Sequence, residues 1–182
     1  MADSLLAGRR GRLAAARGVD ATERSLAMSN RWVFLAGFLT AILMVAGAFA
    51  LPPFFYFELA KSSIFVAIAV LVFFGENRYS YMLGTIFVPV WFVVDLLVGG
   101  FINDFSVLFR YAANQGISPM STPLDGIARL AAVFLFAVSL AAWRREVNER
   151  FWGKTFWTCL IISVVYVGIL AMWYVKLFPA GH

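Results

Sequence analysis

Cysteine and histidine are almost absent from this chain of 182 residues, which contains one of each. A lone cysteine, Cys159, permits neither an intramolecular disulfide nor a CxxC redox or zinc motif. Because His182 is the single histidine, the chain lacks the imidazole ligands that usually hold haem, copper or catalytic zinc. We therefore expect no cofactor and no metal, and membrane cytochromes and HExxH proteases are excluded.

Charged residues are also scarce, at 14%, whereas 62% of the residues are hydrophobic. Soluble domains are typically about 45–50% apolar and about 25% charged. The composition therefore indicates an integral membrane protein without a soluble domain of its own. Residues 1–31 are basic and contain no Trp, Phe or Tyr, so they are predicted to be disordered. Residues 179–182 are expected to form a short tail.

Long apolar runs predict an all-α fold, a polytopic transmembrane bundle of about five helices. The second run is the least certain, because residues 62–75 are too few to cross a bilayer unless the helix begins near Phe54 and includes Glu58 and Lys61. A re-entrant arrangement of the second and third segments is the alternative. The predicted spans are residues 32–51, 54–75, 79–102, 126–143 and 155–178.

Basic residues are distributed unevenly about these spans, and cytoplasmic flanks are expected to hold the excess. The distribution predicts a cytoplasmic N-terminus, an outside C-terminus and a location in a bacterial cytoplasmic (inner) membrane. We expect the first helix to stay uncleaved, although residues 48–50 resemble a signal-peptide cleavage site. The basic residues that then remain outside the cytoplasmic flanks are Lys61, Arg110, Arg129 and Lys176.

The longest connection, residues 103–125, shows apolar residues at helical spacing in its first half. The pattern predicts a short amphipathic surface helix, capped by Asn103 or Asp104 and ended by Gly116. Thr122 and the proline that follows it then predict the start of the fourth span, with Asp125 in its first turn.

After the fourth span, the charge pattern predicts a helix that continues into water as far as Gly153. Its basic residues flank the membrane and form no soluble face, so membrane lipids with anionic headgroups are the expected partner and nucleic acid is not. Other membrane-protein subunits are possible partners as well. The predicted headgroup contacts are Arg144, Arg145, Arg150 and Lys154.

Asp95 is a carboxylate inside an apolar span, where an ionisable group is expensive and usually has a partner or a task. Arg129 lies near the same end of the fourth span, so a buried Asp95–Arg129 ion pair is the leading structural hypothesis. Such a pair either ties two helices together or lines a wet pathway with Glu58 and Lys61 nearby. Trp91 and Phe92, also deep in the third span, are either core or the wall of a site for an apolar ligand.

Residues 125–129, Asp-Gly-Ile-Ala-Arg, resemble the DGxxAR core of the CDP-alcohol phosphotransferases. The spacing from glycine to alanine is short by one residue. The helix that follows, residues 130–143, has none of the aspartates that hold the divalent metal of those enzymes. No catalytic residue is therefore assigned from this motif.

Three functions remain open. The absence of catalytic and cofactor motifs favours a non-catalytic accessory, assembly or scaffold subunit. On this reading the protein is not an enzyme. The alternative is a small transporter or channel with a pathway past Asp95. The third is a lipid-handling membrane enzyme that uses Glu58, Asp95 and Asp104.

Overall fold

The structure is a computed structural model, and it describes residues 29–97, 100–113, 122–147 and 150–177. Helices account for all the regular secondary structure in these ranges. The predicted disordered segment lies almost wholly outside them, as do the tail and Gly116. The helices are α1 (Ser29–Ala50), α2 (Phe55–Phe73, preceded by a 3-10 turn at Pro52–Phe54), α3 (Asn77–Leu97), α4 (Gly100–Ala112), α5 (Pro123–Glu146) and α6 (Lys154–Leu177).

Five of these helices are long and apolar enough to cross a membrane: α1, α2 with its 3-10 turn, α3, α5 and α6. The predicted helical membrane bundle of five spans is thereby confirmed. The uncertain second span begins early enough to include Glu58 and Lys61. The predicted short helix after the third span also forms, as α4, although it begins at Gly100, three residues before the predicted cap. Its location at the membrane surface stays a prediction. Which side of the membrane holds each terminus stays a prediction.

Local chemistry sets several helix ends. Two prolines follow α1, and Leu51 leaves the helical conformation just before them. Gly75 ends α2 with φ of 82°, in the left-handed region that glycine adopts without a steric penalty. At the start of α5, Asp125 Oδ2 accepts hydrogen bonds from the Thr122 backbone N–H at 2.9 Å and from its hydroxyl at 2.7 Å. This acid cap is the predicted helix start.

Helix α3 is the centre of the bundle and packs mainly against α5 and α6. Residues 80–88 of this helix are buried without a break. Close approach to α5 depends on Gly84, because a Cβ there would lie 2.4 Å from Ser139 Oγ. Next to this contact, Phe65, Phe87 and Trp91 form an aromatic cluster with ring centroids 5.5 to 6.4 Å apart.

The prediction that α5 continues into water as far as Gly153 is wrong. The helix ends at Glu146, and Val147 is extended. Glu146 Oε2 lies 2.6 Å from the hydroxyl of buried Tyr81, which also contacts Asn30 Oδ1. Val147 packs against the core, so contacts with α3 and the core hold the chain where sequence spacing predicted a solvated helix.

Candidate functional site

A cavity of about 260 Å³ lies at one end of the bundle. Five helices contribute to it at that end: α2, α4 and α5 near their starts, and α3 and α6 near their last turns. Its walls are mostly apolar, and the charged groups are the exception. The ionisable side chains among the described residues that line it, apart from tyrosine, are Glu58, Lys61, Asp95, Asp125 and Arg129.

The Asp95–Arg129 ion pair forms one wall and joins α3 to α5. Arg129 Nε and Nη2 each lie 2.8 Å from Asp95 Oδ2. The arginine side chain is 4% exposed and the aspartate side chain is 14% exposed. The guanidinium carbon also lies 5.9 Å from the centroid of the Trp91 ring, within the range of a cation–π contact. Trp91 is therefore both part of the core and part of the cavity wall.

A second ion pair lines the same cavity and lies within α2. Lys61 Nζ is 2.8 Å from both carboxylate oxygens of Glu58, and the two side chains are 15% and 10% exposed. The ammonium also lies 5.5 Å from the centroid of the Phe57 ring. The structure thus places all four residues proposed for the buried polar site around one cavity. From the sequence, Glu58 and Lys61 were expected near Asp95 only under the wet-pathway alternative.

Asp125 and Asn103 also line the cavity, and sequence reasoning assigned them only to helix caps. Asp125 is buried, and its Oδ1 lies 2.8 Å from where a Cβ on Gly47 of α1 would be. The signal that could have found it is its position one helical turn before Arg129, which places both on the same face of α5. Asn103 reaches the cavity because α4 begins immediately after the end of α3.

Gly100 brings the first turn of α4 against the Asp95–Arg129 pair. A Cβ at this position would lie 2.6 Å from Asp95 Oδ1 and 3.6 Å from Arg129 Nη2. The carboxylate cannot rotate away freely, because Arg129 holds its other oxygen. Only a residue without a side chain fits here, so this glycine has a packing role beside the candidate site.

The four predicted headgroup residues lie at the opposite end of the bundle, and all are exposed. They do not form one group. Arg144 lines a groove between α3 and α5 together with Pro89, whereas Arg150 and Lys154 line a separate pocket. The structure adds Arg78 to that second pocket; the charge distribution had placed Arg78 on the same side of the membrane but not among the headgroup contacts.

No cluster of three or more His, Cys, Asp or Glu side chains suited to a metal occurs in the described ranges. Glu58 and Asp95 share the cavity, but each is engaged in an ion pair, and the side chain of Asp104 lies outside what the structure describes. No protein-family model, curated protein or solved structure matched this chain. The fold and the candidate site define a multi-pass α-helical membrane protein with a charged cavity at one end.

Proposed function

We propose that this protein is a small transporter-type membrane protein that binds a small ligand with a cationic group in the cavity beside Asp95. The observation that carries the proposal is the cavity lined by Glu58, Lys61, Asp95, Asp125 and Arg129. A tie between two helices would need only the Asp95–Arg129 pair. The second ion pair and the capping carboxylate line the same cavity, and a binding site for a charged ligand accounts for them where a tie does not.

The net charge of the cavity lining favours a cationic ligand. Three carboxylates and two basic side chains line the cavity within the described ranges, a formal excess of one negative charge. Asp95 and Asp125 each accept their hydrogen bonds from other described residues through Oδ2. Their Oδ1 atoms accept none from the described residues, and each lies beside a glycine, Gly100 for Asp95 and Gly47 for Asp125, that has no side chain to cover it. Trp91 and Phe57 also line the cavity, and each ring already contacts a cation of the protein, Arg129 and Lys61 respectively.

Passage through the bundle would require a rearrangement, which is the usual behaviour of transporters. The aromatic cluster of Phe65, Phe87 and Trp91 packs beneath the cavity. Pro89 lies two residues before Trp91 in α3 and has no N–H to donate to the carbonyl of Thr85. This point gives α3 a place to bend next to the cluster. The accessory role expected from sequence rests on absences, whereas the cavity gives positive support to a transporter.

Cysteine labelling in membranes tests whether the cavity is wet. In a Cys159→Ala background we compare Leu170→Cys, which lines the cavity, with Ile169→Cys, which is 54% exposed on the outside of α6. The two positions differ in depth by only about 1.5 Å. A methanethiosulfonate that carries trimethylammonium should label position 170 at least about tenfold faster, because only a solvated thiol ionises and reacts. Equal rates would refute the wet cavity.

Protection of the introduced cysteine by an added compound tests whether the cavity binds a cation. Tetramethylammonium should slow the labelling of Leu170→Cys, whereas tert-butanol, which has a similar size and no charge, should not. Asp95→Asn should weaken the protection, because it removes one of the two carboxylates whose Oδ1 accepts no hydrogen bond from the described residues. If both compounds protect equally, or if neither does, the cavity does not select a cation and the proposed ligand class is wrong.

A further inference from the structure

The end of the bundle opposite the cavity carries a group of three basic side chains. They come from two separate parts of the chain, the first turn of α3 and the segment that leads into α6. Together they surround a pocket of about 360 Å³. The described residues that line this pocket include no Asp or Glu. Its lining residues are Arg78, Tyr79, Arg150, Gly153, Lys154 and Thr155.

The pocket has the chemistry of a phosphate site. Arginine presents a planar fork of N–H donors that fits phosphate oxygens, and lysine adds a compact positive charge. The first turn of α6 adds backbone N–H groups at the same place and contains no acidic residue. The basic side chains are the main binding groups of the pocket, and the backbone N–H groups of the helix terminus add to them.

The position of the pocket indicates that the phosphate belongs to a lipid. The pocket lies where two membrane-spanning helices, α3 and α6, begin at the same end of the bundle. Exposed indoles of Trp152 and Trp157 lie in the same part of the chain, and tryptophan is enriched at the level of lipid headgroups. An inorganic phosphate would find the same donors, so the experiment must separate the two sources.

We infer that Arg78, Arg150 and Lys154 form a binding site for a phosphate group, which the headgroup of an anionic phospholipid supplies. The site is independent of the cavity beside Asp95 and would stand if the proposed transport function failed. It also refines the headgroup contacts expected from sequence, because it includes Arg78 and leaves out Arg144 and Arg145. A lipid held here bridges the start of α3 and the α5–α6 connection.

The test uses the full chain, stripped of lipid in a non-ionic detergent that has no surface potential of its own. Phosphatidylglycerol and phosphatidylcholine are titrated separately, and bound lipid is counted by native mass spectrometry. The pocket variant is Arg150→Gln with Lys154→Gln. The matched control is Arg144→Gln with Arg145→Gln, which removes the same charge from exposed positions at the same end of the bundle. Circular dichroism verifies that both variants are folded.

We expect the pocket variant to bind phosphatidylglycerol about tenfold or more weakly than the parent, because it loses two charge-assisted contacts. The control should stay within about twofold of the parent. Inorganic phosphate forms the second arm and should displace the lipid only at high concentration. Tight binding of inorganic phosphate that depends on Arg150 and Lys154, without lipid binding, would support the phosphate site and assign it to a soluble ligand. Equal losses in both variants, or no preference for phosphatidylglycerol, would overturn the inference.

Discussion

The Asp95–Arg129 pair is the interaction whose energetic role can be tested most directly. The perturbation is a double-mutant cycle with Asp95→Asn, Arg129→Gln and the combined variant, which remove the charges. Asparagine matches aspartate in size, whereas glutamine is shorter than arginine. Loss of one partner from a buried ion pair costs about 3–5 kcal/mol, because the other charge stays buried. Here the cavity partly solvates the carboxylate, so we expect the lower end of that range, about 3 kcal/mol, for the more damaging substitution.

The structure also predicts which substitution is worse. Asp95→Asn removes the Asp95 charge from beside a guanidinium that is 4% exposed, whereas Arg129→Gln leaves a carboxylate that is 14% exposed and lines a cavity. The less solvated charge pays the larger penalty, so Asp95→Asn should cost more stability. The double variant should cost about as much as Asp95→Asn alone, which corresponds to a coupling energy of about 1–3 kcal/mol.

Reversible unfolding in mixed micelles of mild detergent and dodecyl sulfate measures these free energies. The matched control is the second pair in the same cavity, with Glu58→Gln, Lys61→Gln and both. That pair lies within one helix at i,i+3 spacing, for which a coupling of about 0.2–0.5 kcal/mol is expected. Additive costs for Asp95→Asn and Arg129→Gln, or a coupling no larger than in the control, would refute the tie between α3 and α5.

Three glycines give further predictions, because two of them make close contacts and the third makes none. Gly84→Ala should destabilise the protein by about 1–3 kcal/mol, because its Cβ would lie 2.4 Å from Ser139 Oγ and 3.0 Å from Ser139 Cβ. Ser139→Gly should restore part of the loss. Gly168→Ala, with no atom within 4 Å of the added Cβ, should be neutral or slightly stabilising in the same unfolding assay. Gly100→Ala should displace the Asp95 carboxylate and slow the labelling of Leu170→Cys; an unchanged rate would show that the contact does not shape the cavity.

Much of the fold follows from the sequence because a bilayer imposes a length on every span. Residues 32–51, for example, form an apolar helix about as long as the hydrocarbon core of a bilayer is thick. The prolines that follow α1 and the acid cap at Thr122 mark two helix ends through local chemistry. Charged residues stand out in apolar helices, so Asp95, Glu58, Lys61 and Arg129 were candidates without any tertiary information.

Other features could not be predicted from the sequence, because they depend on contacts between distant parts of the chain. The spacing of charges predicted a longer α5, but the contact between Glu146 and Tyr81 depends on a helix 65 positions away along the chain. Asp125 looked like an ordinary helix cap, and its place in the cavity depends on how α5 is rotated against α2, α3 and α6. Arg78 joined Arg150 and Lys154 only because α3 and α6 begin side by side.

A bundle of apolar helices, their approximate ends and the few charges within them could be predicted from the amino-acid sequence. Which charges share a cavity, which pairs form between helices and which basic residues surround a pocket depended on the packing of the helices. The physical reason is that lipid and protein interior are equally apolar. In a soluble protein the polar face of a helix marks its outside, whereas here an apolar side chain is suited to either environment. The rotation of each helix is therefore set by packing, such as Gly84 against Ser139, and not by a visible hydrophobic pattern.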